Sequence, residues 1–323
     1  MKKGSQFYSP ELKDKLDNYF EAINSDLGIE NVGIIFQDFS EKDSNIKETI
    51  HNLYLDKDVG YILFIGNDLI HDSFGNTSDT GELAFRPYQH PHRYQIPLGE
   101  AECPSVALSA LVSPNYQDFN QKKEFILDQL DNYIRFHKDT ESYLSNFSRK
   151  YLRIVNLDVT DEYTSLDPSS PDIGPGVTYY WDLPKRDILG SNPNLKSEIR
   201  KERPMILEIM GHGWARILEW HGSHDYGTTD EWLEFTEDFT PSVLIINTGC
   251  GGMIIDDYNT TRYDGSRAKF CCWPQAFLKG GALVDIQSSS PRVFDFTGSD
   301  FFGQALRKTF MGYEYFGDLF AHL

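Results

Sequence analysis

A chain of 323 residues, 40% of them apolar and 14% aromatic, can bury a full core as one large or two compact domains, which excludes a disordered tail. Its formal net charge of −19, with no Lys/Arg-rich run, excludes a nonspecific nucleic-acid binder and reads as an acidic, solvated surface. No run approaches the length of a membrane span and the opening MKKGSQFYSPELKDK has no apolar leader core, so a cytoplasmic setting without membrane attachment is expected.

In chain order, Ser9 as a cap and Pro10 in the first turn, with Leu12, Leu16, Phe20 and Ile23 near one face, predict a helix over 9–26. Residues 32–36 predict a short buried strand, 44–55 an amphipathic helix and 61–65 a stronger strand, closed by a structural Gly66-Asn67-Asp68 loop. Residues 71–104 read as a long irregular loop. His71, His90 and His92 are surface residues on this reading, because Pro91 separates the last two and no thiol or carboxylate stands at a ligand spacing. A strand over 105–112 and a helix over 119–137, with Phe125, Leu130, Tyr133 and Ile134 inward, complete an α/β unit. The polar stretch 138–150 then joins two expected subdomains, 1–145 and 146–323.

The second half restarts with a strand over 152–157. It is followed by a loop over 158–176, dense in Pro, Gly, Ser and acid and expected to overhang the carboxyl edge of the sheet. Residues 177–181 predict a strand, and 195–210 a helix that Pro204 kinks or divides into two pieces, which makes Gly211-His212-Gly213 a helix C-terminus. The apolar runs 217–220 and 243–246 predict two buried parallel strands, with a crossover between them that contains a helix over 229–235. Trp232 and Phe235 are expected to pack inward from that helix.

The first run hands over to His221-Gly222-Ser223 and the second to Gly249-Cys250-Gly251-Gly252. His221 and Cys250 are therefore expected at one sheet edge, where open α/β sheets do their chemistry, with His224 a lesser neighbour. A thiol nucleophile needs an imidazole to handle protons and N–H donors for the oxyanion. Gly222 and Cys250 are placed to supply those donors from their backbone. The other cysteines, Cys103, Cys271 and Cys272, form no disulfide framework and no Cys-x-x-Cys pair, and the adjacent two read as small buried hydrophobes. A helix over 270–279, with Phe270, Trp273 and Phe277 inward, precedes a last strand over 282–286, whose carboxyl end leads into Ser288, Ser289 and Ser290.

The two blocks, an apolar strand ending in His-Gly-Ser and another ending in small-Cys-small-Gly, resemble the gingipain-type cysteine peptidases, relatives of the caspases, legumains and separases. Residues 46–50 and 59–68 are similar to the family's helix and apolar strand before the site, and residues 280–290 and 301–310 to its strand and helical segment after it. Gly249 stands where many relatives have alanine.

The resemblance implies a caspase/gingipain-like three-layer α/β sandwich, with mainly parallel sheets, helices on both faces and two similar subdomains. It also implies a thiol protease: a hydrolase that cleaves a protein or peptide substrate through a thioester on Cys250, and one that an activating partner or processing would switch on. An acid from the 158–176 loop would line a pocket for a basic side chain. Asp172 is the first candidate, with Asp161 and Glu162 behind it, although turn acids of this kind also read as simply solvated. Ser288, Ser289 and Ser290 would form a wall of that pocket. Some relatives hold structural Ca²⁺, but Asp256, Asp257 and Asp264 match no EF-hand spacing, and no metal or cofactor is assigned. The alternative is a non-catalytic flavodoxin-like binding module, against which stands the lack of a phosphate-binding glycine loop that opens a helix.

Overall fold

The computed structural model describes residues 9–28, 43–57, 59, 61–65, 107–111, 113, 118–156, 185–214, 217–221, 226–247 and 273–287. Helix α1 (Pro10–Leu27) begins as its sequence dictates: Ser9 Oγ accepts the Leu12 N–H at 3.2 Å, Pro10 occupies the first turn, and Gly28 at φ 65° ends the helix. Helix α2 (Asp43–Lys57) follows, and then strands β1 (Tyr61–Ile65) and β2 (Ala107–Leu111) pair in parallel. Helix α3 (Phe119–Lys138) is capped by the Asp118 carboxylate and buries Phe125, Leu130 and Ile134 on the expected face. A single further turn, α4 (Thr140–Leu144), leads into β3 (Ser148–Val155).

The remaining elements are β4 (Lys185–Leu189), α5 (Leu195–Glu202), β5 (Pro204–Met210), β6 (Gly213–Trp214), β7 (Ile217–Glu219), β8 (Tyr226–Thr228), α6 (Thr229–Thr236), β9 (Leu244–Asn247), α7 (Trp273–Lys279) and β10 (Val284–Gln287). Five strands form one parallel sheet in the order β10-β9-β5-β3-β4. Counted along the chain from β3, this order is 2-1-3-4-5 from the β4 edge. Chain direction therefore switches between β3 and β5, which opens a crevice at their carboxyl ends.

Every residue of β5 is buried, as a central parallel strand covered on both faces requires. One face carries Leu152, Ile154, Leu207, Ile209 and Ile245, in a cluster with Trp232, Phe235, Trp273 and Phe277 of α6 and α7. The other carries Ile206, Leu244 and Ile246, clustered with Phe147 and packed on by Leu144. The first cluster also takes in Leu12, Leu16, Phe125 and Leu130, so α1 and α3 share the core of the second half. Two buried glutamines tie these parts together: Gln129 Nε2 donates to the Leu278 carbonyl at 3.1 Å, and Gln275 Nε2 to the Ser113 carbonyl at 3.2 Å. Among the described residues no helix is long and apolar enough to cross a membrane.

Two expectations are corrected. Residues 195–210 are neither one kinked helix nor two helical pieces but a helix followed by a strand. Arg203 adopts a left-handed backbone (φ 40°, ψ 61°), its N–H closes on the Ile199 carbonyl at 2.8 Å, and α5 stops at Glu202. Pro204 has no N–H to give a ladder and stands at the first position of a strand, where that loss is tolerated. The second correction concerns 217–220, which is not a strand of the parallel sheet. Residues Ile217–Glu219 are the middle of a three-stranded antiparallel sheet, β6-β7-β8. This sheet adjoins the end of β5, where the Glu219 N–H bonds the His212 carbonyl. The apolar run reads as a buried parallel strand because β7 is buried too, with Leu218 and Trp220 fully inaccessible.

Several sequence expectations fall outside the described residues. These are the strands over 32–36 and 177–181, the loop histidines His71, His90 and His92, the cysteines Cys103, Cys271 and Cys272, Phe270, and the segment 301–310.

Candidate active site

All five strands of the main sheet run in the same direction, so their carboxyl ends share one edge. At that edge β3 ends at Val155, next to Asn156; β5 ends at Met210, next to Gly211-His212; β9 ends at Asn247; and β10 ends at Gln287. Ile209 of β5 pairs with Asn247 of β9, and Asn247 pairs with Gln287 of β10. In sequence, His212 and Cys250 each follow the Ile209–Asn247 pair by three residues, His212 after β5 and Cys250 after the adjacent β9. His212 also borders the switch point between β3 and β5. The sequence reads as a helix terminus here only because the apolar spacing of β5 reads as helix.

The turn that carries His212 is held from three sides. Asn156, which is 1% exposed, donates from Nδ2 to the Met210 carbonyl at 2.9 Å and to the Glu219 carbonyl. Glu219, fully buried on β7, donates its N–H to the His212 carbonyl at 2.8 Å. Its carboxylate oxygen Oε2 accepts the His212 N–H at 3.1 Å. Gly211 is required here because a Cβ would lie 2.2 Å from the Glu219 carbonyl oxygen and 2.6 Å from Asn156 Nδ2. The His212 residue itself is only half-buried. Asn156 and Glu219 escaped the sequence reading. A signal for Asn156 existed, since a short amide directly after a buried strand sits where the sheet edge turns polar; for Glu219 there was none until β7 was known to fold back on His212.

His221 sits differently. It follows β7 of the antiparallel sheet, and its ring packs on the indole of Trp220 with centroids 3.9 Å apart and planes tilted by 37°. Its Nε2 lies 2.9 Å from Glu231 Oε1 in the first turn of α6, a carboxylate that also pairs with Lys196 Nζ at 2.8 Å. The separation is within ion-pair range, although no well-aligned hydrogen bond reaches this ring nitrogen. The expectation that His221 and Cys250 leave neighbouring parallel strands is thereby corrected: the strand before His221 is antiparallel and belongs to another sheet.

The other expected site residues, Cys250, the oxyanion glycine Gly222, His224, and the pocket candidates Asp172, Asp161, Glu162, Ser288, Ser289 and Ser290, lie outside the described residues. So do the acids Asp256, Asp257 and Asp264 considered for calcium. The chain leading to them is described for two: Asn247 precedes Cys250 by three residues, and Gln287 directly precedes Ser288. Among the described residues no group of three or more His, Cys, Asp or Glu side chains is arranged to hold a metal ion.

Comparison with protein-family models, with curated proteins and with solved structures gave no match for this chain.

Proposed function

We propose that the chain is a cysteine endopeptidase with a caspase/gingipain-like sandwich fold, in which Cys250 is the nucleophile and His212, rather than His221, handles its protons. One observation carries this reading: His212 and Cys250 follow adjacent parallel strands at the same offset from the Ile209–Asn247 pair, at the carboxyl edge beside the topological switch point. In the reaction the Cys250 sulfur bonds to the peptide carbonyl carbon and its thiol proton passes to His212. The imidazolium returns that proton to the departing amine as the C–N bond breaks, and water then hydrolyses the thioester.

With His212 as the imidazole, the glycine that follows it is Gly213, which takes the oxyanion role expected of Gly222, beside the N–H of Cys250. Antiparallel alternation supports this assignment. The Glu219 N–H bonds the His212 carbonyl, so Gly213 and Leu218 form the pair without mutual hydrogen bonds, and the Gly213 N–H faces away from β7.

The basic-residue pocket at Asp172, its wall at Ser288–Ser290 and activation by a partner or by processing belong to the same proposal and rest on the family resemblance. A binding module could use the same strand order, so the decisive test is chemical. A fluorogenic peptide library varied at the residue before the cut is offered to wild type and to Cys250→Ala under reducing conditions. Cleavage by wild type alone is expected, with a basic preference if the acidic loop lines the pocket. Equal cleavage by both proteins would remove Cys250 as the nucleophile, and no cleavage by wild type, even after limited proteolysis, would favour the binding module.

A further inference from the structure

We infer that Glu219 is a positioning residue for His212, which it holds through the main chain from within the hairpin that follows it. The inference rests on the proposed role of His212. Three polar groups of this one residue converge on the turn: the N–H donates to the His212 carbonyl at 2.8 Å, Oε2 accepts the His212 N–H at 3.1 Å, and the carbonyl accepts Nδ2 of Asn156, which also holds Met210 at the end of β5.

In a regular antiparallel pair the His212 N–H would bond the Glu219 carbonyl. Here the carboxylate takes that place, which leaves the carbonyl to Asn156. A side-chain oxygen buried to zero exposure is costly without a donor, and the His212 N–H supplies one. The arrangement thus fixes the backbone on either side of the His212 α-carbon, where a small displacement moves the imidazole relative to the proposed nucleophile. Gly211 supplies the clearance, because any side chain there would meet the Glu219 carbonyl and Asn156.

The test compares Glu219→Gln, which keeps an oxygen acceptor of the same length, with Glu219→Leu, which keeps only the volume. Two readouts are taken: steady-state peptide cleavage, and hydrogen exchange at the His212 amide set against the amides of Ile206 and Leu207 in β5. The leucine variant is expected to lose about 100-fold in kcat with KM within about twofold of wild type, and the glutamine variant to recover to within about tenfold. Exchange at His212 should accelerate at least about tenfold in the leucine variant while Ile206 and Leu207 stay protected. A leucine variant with wild-type kcat, or with unchanged protection at His212, overturns the inference. If Glu219→Leu does not fold, Glu219→Ala, which also removes the acceptor, takes its place: faster exchange confined to His212 supports the role and unchanged exchange removes it. If wild type cleaves no peptide, the peptidase reading has failed on its own account, and exchange at His212 still decides whether Glu219 holds the turn.

Discussion

His221 Nε2 lies 2.9 Å from Glu231 Oε1, so the end of the antiparallel hairpin is tied to the first turn of α6. The same glutamate accepts from Lys196 of α5 at 2.8 Å, and Thr228 Oγ1 caps α6 by accepting the Glu231 N–H at 3.1 Å. Lys196 on one side, the His221 ring on the other and the positive end of the helix make this carboxylate a structural anchor.

The anchor has a pH signature. The approach of His221 is the largest cause that holds the Glu231 carboxyl down at about 2; partial burial opposes it, and Lys196 reinforces it. A carboxyl lowered in the folded state stabilises the fold above its unfolded value, near 4.5, and that contribution is lost as pH falls from there toward 2. With the side chain 36% exposed, solvent screening leaves about 1 kcal/mol or less. Urea midpoints measured between pH 5 and 2.5 should fall more steeply for wild type than for Glu231→Gln, and parallel curves would show that the anchor contributes nothing.

The two histidines should separate in mutagenesis. His212→Ala is expected to lower kcat/KM by about 100-fold to 10,000-fold, the range for removing a general acid–base group. It should leave stability nearly unchanged, because the His212 bonds to Glu219 are made by main-chain groups. His221→Ala should do the reverse, removing the stacked ring from Trp220 and the partner of Glu231 while catalysis persists. Loss of activity in His221→Ala with retained activity in His212→Ala would restore the pairing of His221 with Cys250.

Much of the framework was legible because its signals are local. The Ser9-Pro10 start of α1, the Tyr61–Ile65 strand and the apolar faces of α3 and α6 all appear where spacing and capping place them. The errors lie where short apolar segments serve two geometries. In residues 195–210 the apolar spacing runs through Pro204 as though through a kink, whereas the left-handed Arg203 marks a change from helix to strand. A non-glycine in that conformation has no sequence signature. The run before His221 and the run before Cys250 look alike because both are buried, and burial alone does not distinguish parallel from antiparallel pairing. Strand β4 carries no strand signal: three of its five residues, Lys185, Arg186 and Asp187, are charged, as an edge strand tolerates.

Gly211→Ala tests the tightness of the turn. Its Cβ would sit 2.2 Å from the Glu219 carbonyl oxygen, a main-chain atom that can move only with β7. Overpacking of this kind costs about 1–3 kcal/mol. Because the displaced atoms are those that hold His212, kcat should fall further than stability explains. Activity measured well below the melting temperature, beside a denaturation curve, separates the two. A variant that loses stability and keeps wild-type kcat would show that the turn can shift without moving the imidazole.

Leu16→Ala asks whether the expected subdomains 1–145 and 146–323 unfold together. Leu16 of α1 is 1% exposed and belongs to the same apolar cluster as Leu207, Trp232 and Trp273. Truncating a buried leucine costs about 2–5 kcal/mol. The five tryptophans all lie in the second half, at 181, 214, 220, 232 and 273, so their fluorescence reports that half alone. If one core spans both halves, removing a methyl cluster from α1 lowers the midpoint of the tryptophan transition, and far-ultraviolet circular dichroism follows the same curve. An unmoved tryptophan transition, with a separate earlier loss of helix signal, would mean that α1 and α3 form a unit that opens independently. The Gln129–Leu278 hydrogen bond would then break at no cost to the sheet whose central strand leads to His212.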